Sequence, residues 1–352
     1  MNKKESLFIN VVKGTAIFLM FWGHCIEGCA NGSFSSFEHP VFLLIYTFHM
    51  PLFMLVSGYL FFFSFRKREL KPLLIHRAQG LLQPILLGGV LNQLLMMVMY
   101  KAVGYEVSLL NGGLVPGLFQ FWFLWCVLFC SIAVGIACKV TQKWYLQVLL
   151  LVPGGGLLML LPTADLHLCM YPFFVLGFFY AKYADQIPGW VKKLRYLSLI
   201  VYPVLLPFYE PRHSFYISPV YSRQIGITAS FLLNLYRTAV GLAGSLFVMT
   251  LLWEVVCRCE EGSLCSKLFA PFAQMGKHSL QLYCISTAVI SGYLPELYPR
   301  FISAIGYNVF EGHMELFSFV FTPLLAAVYA LAIGLLVVVL KKLRIHGLIY
   351  GR

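Results

Sequence analysis

Ten stretches of this chain are long and apolar enough to suggest bilayer crossing, and this restricts the fold before any motif is considered. A span needs about 20 predominantly apolar residues, because the hydrocarbon core is about 30 Å thick and a helix rises about 1.5 Å per residue. The runs lie at approximately 8–27, 41–64, 81–100, 118–138, 144–162, 168–184, 196–209, 226–256, 272–294 and 316–340. No water is present in the bilayer core, so each run must satisfy its backbone groups internally, which makes each a helix. The expectation is an all-α, polytopic membrane bundle of about ten transmembrane helices. Of the 352 residues, 60% are hydrophobic and 11% charged, whereas a soluble domain is nearer half apolar and one quarter charged. No polar block is long enough to fold by itself, so residues 1–352 are expected to form a single membrane domain without a separate soluble one. The charged start runs directly into a span with no small-residue cleavage site, and the first helix is expected to stay as an anchor.

The net charge of +12 does not point to nucleic acid. With the N-terminus placed in the cytoplasm, 21 of the 26 Lys and Arg fall on the inner side. That is a positive-inside bias, and it places both termini in the cytoplasm. The short seventh run, with Pro203 and Pro207, is the weakest. Omitting it would reverse every later span and put Lys341, Lys342 and Arg344 outside. Most of the ten cysteines lie within the runs, where they act as small apolar residues. Cys257, Cys259 and Cys265 share a polar loop with Glu260 and Glu261, but their spacing fits no standard zinc pattern and no metal is expected. The run Pro153-Gly154-Gly155-Gly156 lacks the Lys and Ser/Thr of a phosphate-binding loop and reads as a kinked or broken helix.

Ionisable groups inside spans are costly, so those retained are functional candidates. In the first span Lys13 and His24 are eleven residues apart. That is about three helical turns, so both sit on one face, about 16 Å apart along the axis. The plainer account of His24 is a helix-end group at the lipid headgroups. In the second span, His49 of Phe48-His49-Met50-Pro51 lies about 12 Å below the outer surface, a depth from which it and His24 can approach one another. Its plainer account is a neutral ring bonded to a carbonyl freed by Pro51. Burial disfavours imidazolium, and a neutral histidine can accept a proton from a hydroxyl.

Ser57-Gly58-Tyr59 follows below His49, and small residues there also serve helix packing. The inner mouth carries Lys13, Arg66, Lys67, Arg68, Lys71 and Arg77. Anionic lipid accounts for most of these charges; a phosphate-bearing ligand from the cytosol is the sharper reading for Lys13 and Arg77. Arg237 falls well inside the eighth span and needs a partner or a wet cavity, with Glu27 and Glu38 as candidate counter-ions.

Four stretches together resemble the acyltransferase-3 family of integral membrane O-acyltransferases. They are Lys13-Gly14 with His24; Phe48 through Phe53 with Ser57-Gly58-Tyr59; Arg77 through Leu81-Leu82-Gln83-Pro84; and Phe121-Trp122-Phe123-Leu124. Gly276-Lys277-His278-Ser279-Leu280 with Tyr283 is similar to a further family segment. The resemblance implies transfer of an acyl group, acetyl or another such as succinyl, from cytosolic acyl-CoA to a hydroxyl of a cell-surface or lipid-linked glycan, at the bacterial inner (plasma) membrane. It implies His24 as catalytic base and Lys13 as a donor-binding group. Arg77, Arg66, Arg68, Ser57 and Tyr59 are further donor-site candidates, and His49 and Arg237 join His24 as catalytic candidates. Three positions depart from the family pattern: Asn10 stands where many members have Asp, Ser286 where many have His, and His278 where Asn is usual. No esterase-like domain is expected beside the membrane part. The rival reading is a transporter or flippase of an anionic lipid-linked sugar that consumes no thioester.

Overall fold

In the computed structural model, residues 3–30, 35–102, 114–161, 164–217, 224–260, 262–305 and 313–350 are described, and no strand occurs among them. The first helix, α1, is Lys3–Ala30, followed by α2 (Pro40–Phe65) and α3 (Leu70–Gln83). A π turn at Pro84–Gly88 continues α3 into α4 (Gly89–Ala102). Then come α5 (Leu114–Phe119), α6 (Trp122–Val140), α7 (Trp144–Gly156) and α8 (Ala164–Lys182). The short α9 (Gly189–Lys193) and α10 (Ser198–Leu205) precede the long α11 (Ile227–Arg258). The chain closes with α12 (Leu264–Lys277), α13 (Ser279–Ser286), α14 (Leu294–Ile305), α15 (Met314–Leu316), α16 (Thr322–Lys342) and α17 (His346–Tyr350).

Among the described residues seven helical runs are long and apolar enough to cross a bilayer, and each coincides with an expected span. The other three expected spans fall on interrupted helices. The run at 144–162 is α7 followed by a 3-10 turn at Leu157–Leu160. That at 196–209 contains only eight regular residues, Ser198–Leu205, with Pro203 inside and Pro207 in the 3-10 turn that follows. Each proline removes a backbone donor and crowds the preceding turn. The run at 272–294 breaks at His278, between α12 and α13, and again at a π turn, Thr287–Tyr293. Along α16, Leu324, Val328, Leu331 and Leu335 form an unbroken stripe, each more than 60% exposed. An outward stripe of this size is stable facing lipid, not water.

The contacts divide into two units. The first comprises 1–45, 82–121 and 267–352, and the second 46–81 and 122–266; α2 and α3 each begin in one and continue into the other. In the first unit α1 packs against α13, α14 and α16. Two approaches are set by glycine. A Cβ at Gly14 would collide with the backbone carbonyl of Phe272, and one at Gly276 with that of Asn10. Polar links join distant segments: Trp22 Nε1 donates to Thr322 Oγ1 at 3.0 Å, and Asn92 Nδ2 to the Cys284 carbonyl at 3.1 Å.

The second unit repeats the device. A Cβ at Gly58 would strike the carbonyl of Phe174, and one at Gly177 the carbonyl of Leu55, so α2 and α8 touch backbone to backbone. Phe61, Phe65, Phe174 and Phe178 pack around this crossing. Thr47 Oγ1 and Tyr202 Oη are hydrogen-bonded at 2.8 Å, tying α2 to α10. Small residues let membrane helices approach closely, and dispersion between their backbones holds the pair.

Gly14→Val and Gly177→Val are therefore expected to destabilise by about 3 kcal/mol or more through overpacking. Gly334→Val, where a Cβ would meet nothing within 4 Å, is expected to be neutral. Thermal unfolding of the purified proteins in detergent checks this; equal melting temperatures for all three would contradict it.

Candidate active site

In the first unit the site is built on α1. This helix is unbroken from Lys3 to Ala30, so Lys13 and His24 do lie three turns apart on it. His24 Nδ1 lies 3.0 Å from Glu27 Oε2, and both side chains are partly exposed. A carboxylate only accepts, so Nδ1 carries the hydrogen and the neutral ring's basic lone pair is on Nε2. This fixes both tautomer and ring orientation. Glu27, one of two candidate counter-ions for Arg237, pairs with His24, and the i,i+3 spacing on one helix is the signal that marks the pair.

The last resemblance segment also lies in this unit. His278 separates α12 from α13, and Lys341 Nζ stands 3.2 and 3.3 Å from its two ring nitrogens. Ser286 is buried and donates to the Tyr283 carbonyl of its own helix at 2.9 Å. Asn10 presents its backbone to Gly276.

The second unit holds the other candidates. His49 is buried with its ring 4.5 Å from that of Tyr46. Tyr46 continues into a chain of rings the sequence did not reveal: Tyr216 at 5.5 Å, Trp122 at 6.2 Å from Tyr216, and His167 at 6.0 Å from Trp122. Trp122 belongs to the Phe-Trp-Phe-Leu stretch, but its ring neighbours Tyr216 and His167 come from two other segments, and no local spacing encodes them.

Arg237 is 3% exposed, about 15 Å along α11 from its start. Its Nη2 donates to Cys169 Sγ, and its guanidinium carbon is 5.4 Å from the Phe215 ring centre. Nε and Nη1 find no acceptor. A buried guanidinium with two unsatisfied nitrogens costs several kcal/mol, which marks a place where an anion or a developing negative charge would be strongly held.

The segment after α10 packs on the same face of α11. Tyr236 Oη donates to the Leu205 carbonyl at 2.7 Å, and the His213 and Tyr236 ring centres are 4.9 Å apart. His213 is 9% exposed and accepts the Glu210 N–H on Nδ1 at 2.9 Å. Burial, aided by Arg212, pushes its pKa below the ordinary value of 6.5.

Two cations, Arg66 just after α2 and Arg77 in α3, lie against aromatic rings. Arg77 sits 4.9 Å from the Phe61 ring centre with Nε unpaired, and Arg66 sits 5.7 Å from that of Phe63. Lys67 and Lys71 are exposed, whereas Arg68 and Ser57 are half-buried. Tyr59 packs on Phe63 and Tyr180 at 5.3 and 6.3 Å. Gly58, between Ser57 and Tyr59, makes the backbone contact with α8, so this glycine serves packing.

A scan against protein-family models matches the acyltransferase-3 model, an acyltransferase domain, over residues 6–342. The chain belongs to that family. It is 30% identical over 216 residues to nodulation protein NolL of Sinorhizobium fredii, covering 57% of this chain and 55% of that protein. It is 27% identical over 207 residues to nodulation protein NolL of Mesorhizobium japonicum, covering 57% and 54%. The chain thus spans about half the length of these curated relatives. No solved structure matches. This member of the family is an integral membrane protein, and among the described residues no His, Cys, Asp and Glu group could hold a metal ion.

Two outcomes are expected. Arg237→Met removes an unsatisfied buried charge while keeping most of the volume, so thermal stability should hold or rise by about 1–2 kcal/mol; a clear fall would mean the guanidinium is already compensated. For His213, the folded state favours the neutral ring, so its contribution is present above about pH 6.5 and is lost as pH falls through its lower folded-state pKa. Limited proteolysis between pH 7.5 and 5 should show cleavage near 205–217 increasing at the acid end, with a reduced pH dependence in His213→Gln.

Proposed function

We propose that this protein transfers an acyl group, most simply acetyl, from cytosolic acyl-CoA to a hydroxyl of a cell-surface or lipid-linked glycan, at the bacterial inner membrane with both termini cytoplasmic. The His24–Glu27 couple on α1 is the observation that carries this reading. His24 Nε2 would take the acceptor's hydroxyl proton as its oxygen forms the ester bond to the acyl carbon. The C–S bond breaks, and the thiolate leaves and is protonated to free CoA. Glu27 holds the ring and favours its charged form as the proton arrives.

Arg237 is a donor for the negative charge that builds on the thioester oxygen, a role suited to a guanidinium with open N–H groups in a dry setting. His49 orients the reacting groups or shares the proton. Lys13 in the first unit, and Arg66, Arg68 and Arg77 in the second, are assigned to the phosphates of the donor, for which guanidinium and ammonium groups are suited. Ser57 and Tyr59 are assigned to the passage of the pantetheine arm. The rings of Tyr46, Tyr216 and Trp122 offer apolar faces of the kind on which sugar rings stack.

The test uses the protein in lipid nanodiscs with radiolabelled acetyl-CoA, measuring donor binding and thiol release. His24→Ala is expected to bind donor and lose 10²-fold or more in thiol release, the usual worth of a positioned base. Glu27→Gln is expected to lose about tenfold. If folded wild type binds no acyl-CoA, or if His24→Ala turns over normally, the proposal fails. Absence of donor binding would favour transport.

A further inference from the structure

The second unit contains a feature that acyl transfer does not use. Between α7 and α8 lies a cavity of about 920 Å³, open along one side, with walls that are almost wholly apolar. It runs from Trp144 and Tyr183 at one end to Met159 and Leu168 at the other, about 20 Å at the helical rise. The Pro-Gly-Gly-Gly run makes it. Gly154 is needed for packing, because a Cβ there would stand 3.1 Å from Ala133 Cβ and from Tyr171 Oη. Gly155 and Gly156 line the groove, and a Cβ at Gly156 would meet nothing within 4 Å. Tyr171 Oη donates to the Leu151 carbonyl at 3.0 Å and closes the floor. Side chains missing over two consecutive residues leave a slot where a regular helix would be filled.

One end of the slot is cationic. Lys182 Nζ donates to Gln147 Oε1 at 2.7 Å and stands 5.5 and 5.2 Å from the ring centres of Phe179 and Tyr183, both groove walls. Gln147 is in turn fixed by donating to the Thr141 carbonyl at 2.7 Å. Lys143 immediately precedes Trp144, and Lys139 Nζ lies 4.8 Å from the Phe65 ring centre in the same unit. Among the described residues none of these three lysines has a carboxylate within ion-pair distance. Trp144 and Tyr145 are exposed at the same end, and aromatic residues of this kind sit at the headgroup level. By the charge bias this is the cytoplasmic leaflet. One leaflet of hydrocarbon is about 15 Å deep, so the slot is long enough for an entire acyl chain.

We propose that this groove is a binding site for one anionic glycerophospholipid of the cytoplasmic leaflet. One acyl chain lies along Gly155 and Gly156 between α7 and α8, and the phosphate is held by Lys182 and Lys143. The free N–H groups of Lys182 point the choice toward a net negative headgroup, since each lysine near a phosphate favours an anionic over a zwitterionic lipid by about fivefold. The site is independent of the acyl-transfer reading.

The experiment is purification in mild detergent from a membrane that contains both phosphatidylglycerol and phosphatidylethanolamine. Lipid per protein is then counted by mass spectrometry. Wild type is expected to retain about one phosphatidylglycerol, enriched over the bulk membrane. Lys143→Gln with Lys182→Gln is expected to lower the phosphatidylglycerol to phosphatidylethanolamine ratio about tenfold or more. Gly156→Trp, with Val152→Trp as a second filling variant, is expected to lose the retained lipid, whereas Gly334→Trp on the outer face of α16 keeps it. Melting temperatures confirm that the filled variants fold. Four results would overturn the proposal: no enrichment in wild type, lipid undisturbed by groove filling, a ratio insensitive to the lysines, or a dimer that groove filling dissociates, which would make a second copy the occupant.

Discussion

Backbone contact at glycine is the constraint on which the two halves of this molecule rest. Lipid tails are as apolar as leucine, so burial of apolar side chains gives membrane helices little reason to associate. What remains is close packing. Gly14 and Gly276 in one unit, and Gly58 and Gly177 in the other, each admit a carbonyl of the facing helix where any side chain would collide. Three of these four glycines stand inside the motif stretches. They place Lys13 one residue from a helix crossing, and Ser57 and Tyr59 on either side of another. A motif that reads as a site in sequence is thus partly the scaffold that fixes the site.

The polar groups fall into two kinds. Some are satisfied by the fold itself, such as Trp22 on Thr322, Asn92 on Cys284 and Thr47 on Tyr202, and these join helices. Others are left with capacity unspent, and Arg237 is the clearest, with two nitrogens lacking an acceptor in a nearly dry position. A fold that satisfies its structural polar groups while leaving a buried cation open carries an energetic cost that structure alone does not explain. In the function proposed above that cost has a use, because negative charge would develop on the thioester oxygen and must be met.

Ser286 and Asn10 show how family departures are absorbed. The hydroxyl of Ser286 turns back to its own helix, and Asn10 meets Gly276 through its backbone. His278 meets Lys341 and stands at a break between helices, away from regular helix interiors. The His24–Glu27 couple is untouched by these changes.

Local features of this protein were determined by the sequence alone. The apolar runs specify helices because helix periodicity and bilayer thickness are properties of short segments. The Lys13-to-His24 face and the His24–Glu27 spacing follow from the geometry of one helix. The interruptions were partly legible too, at Pro203, Pro207 and the Pro153 glycine run. What only the tertiary structure decided is which faces look inward. In a bilayer the core side and the lipid side of a helix are both apolar, so the pattern that orients a soluble helix is absent. The chain of rings from His49 through Tyr46, Tyr216 and Trp122 to His167 joins segments more than 100 residues apart. The open nitrogens of Arg237 and the groove between α7 and α8 likewise arise from contacts made, or missed, across helices. No spacing within a single helix records them.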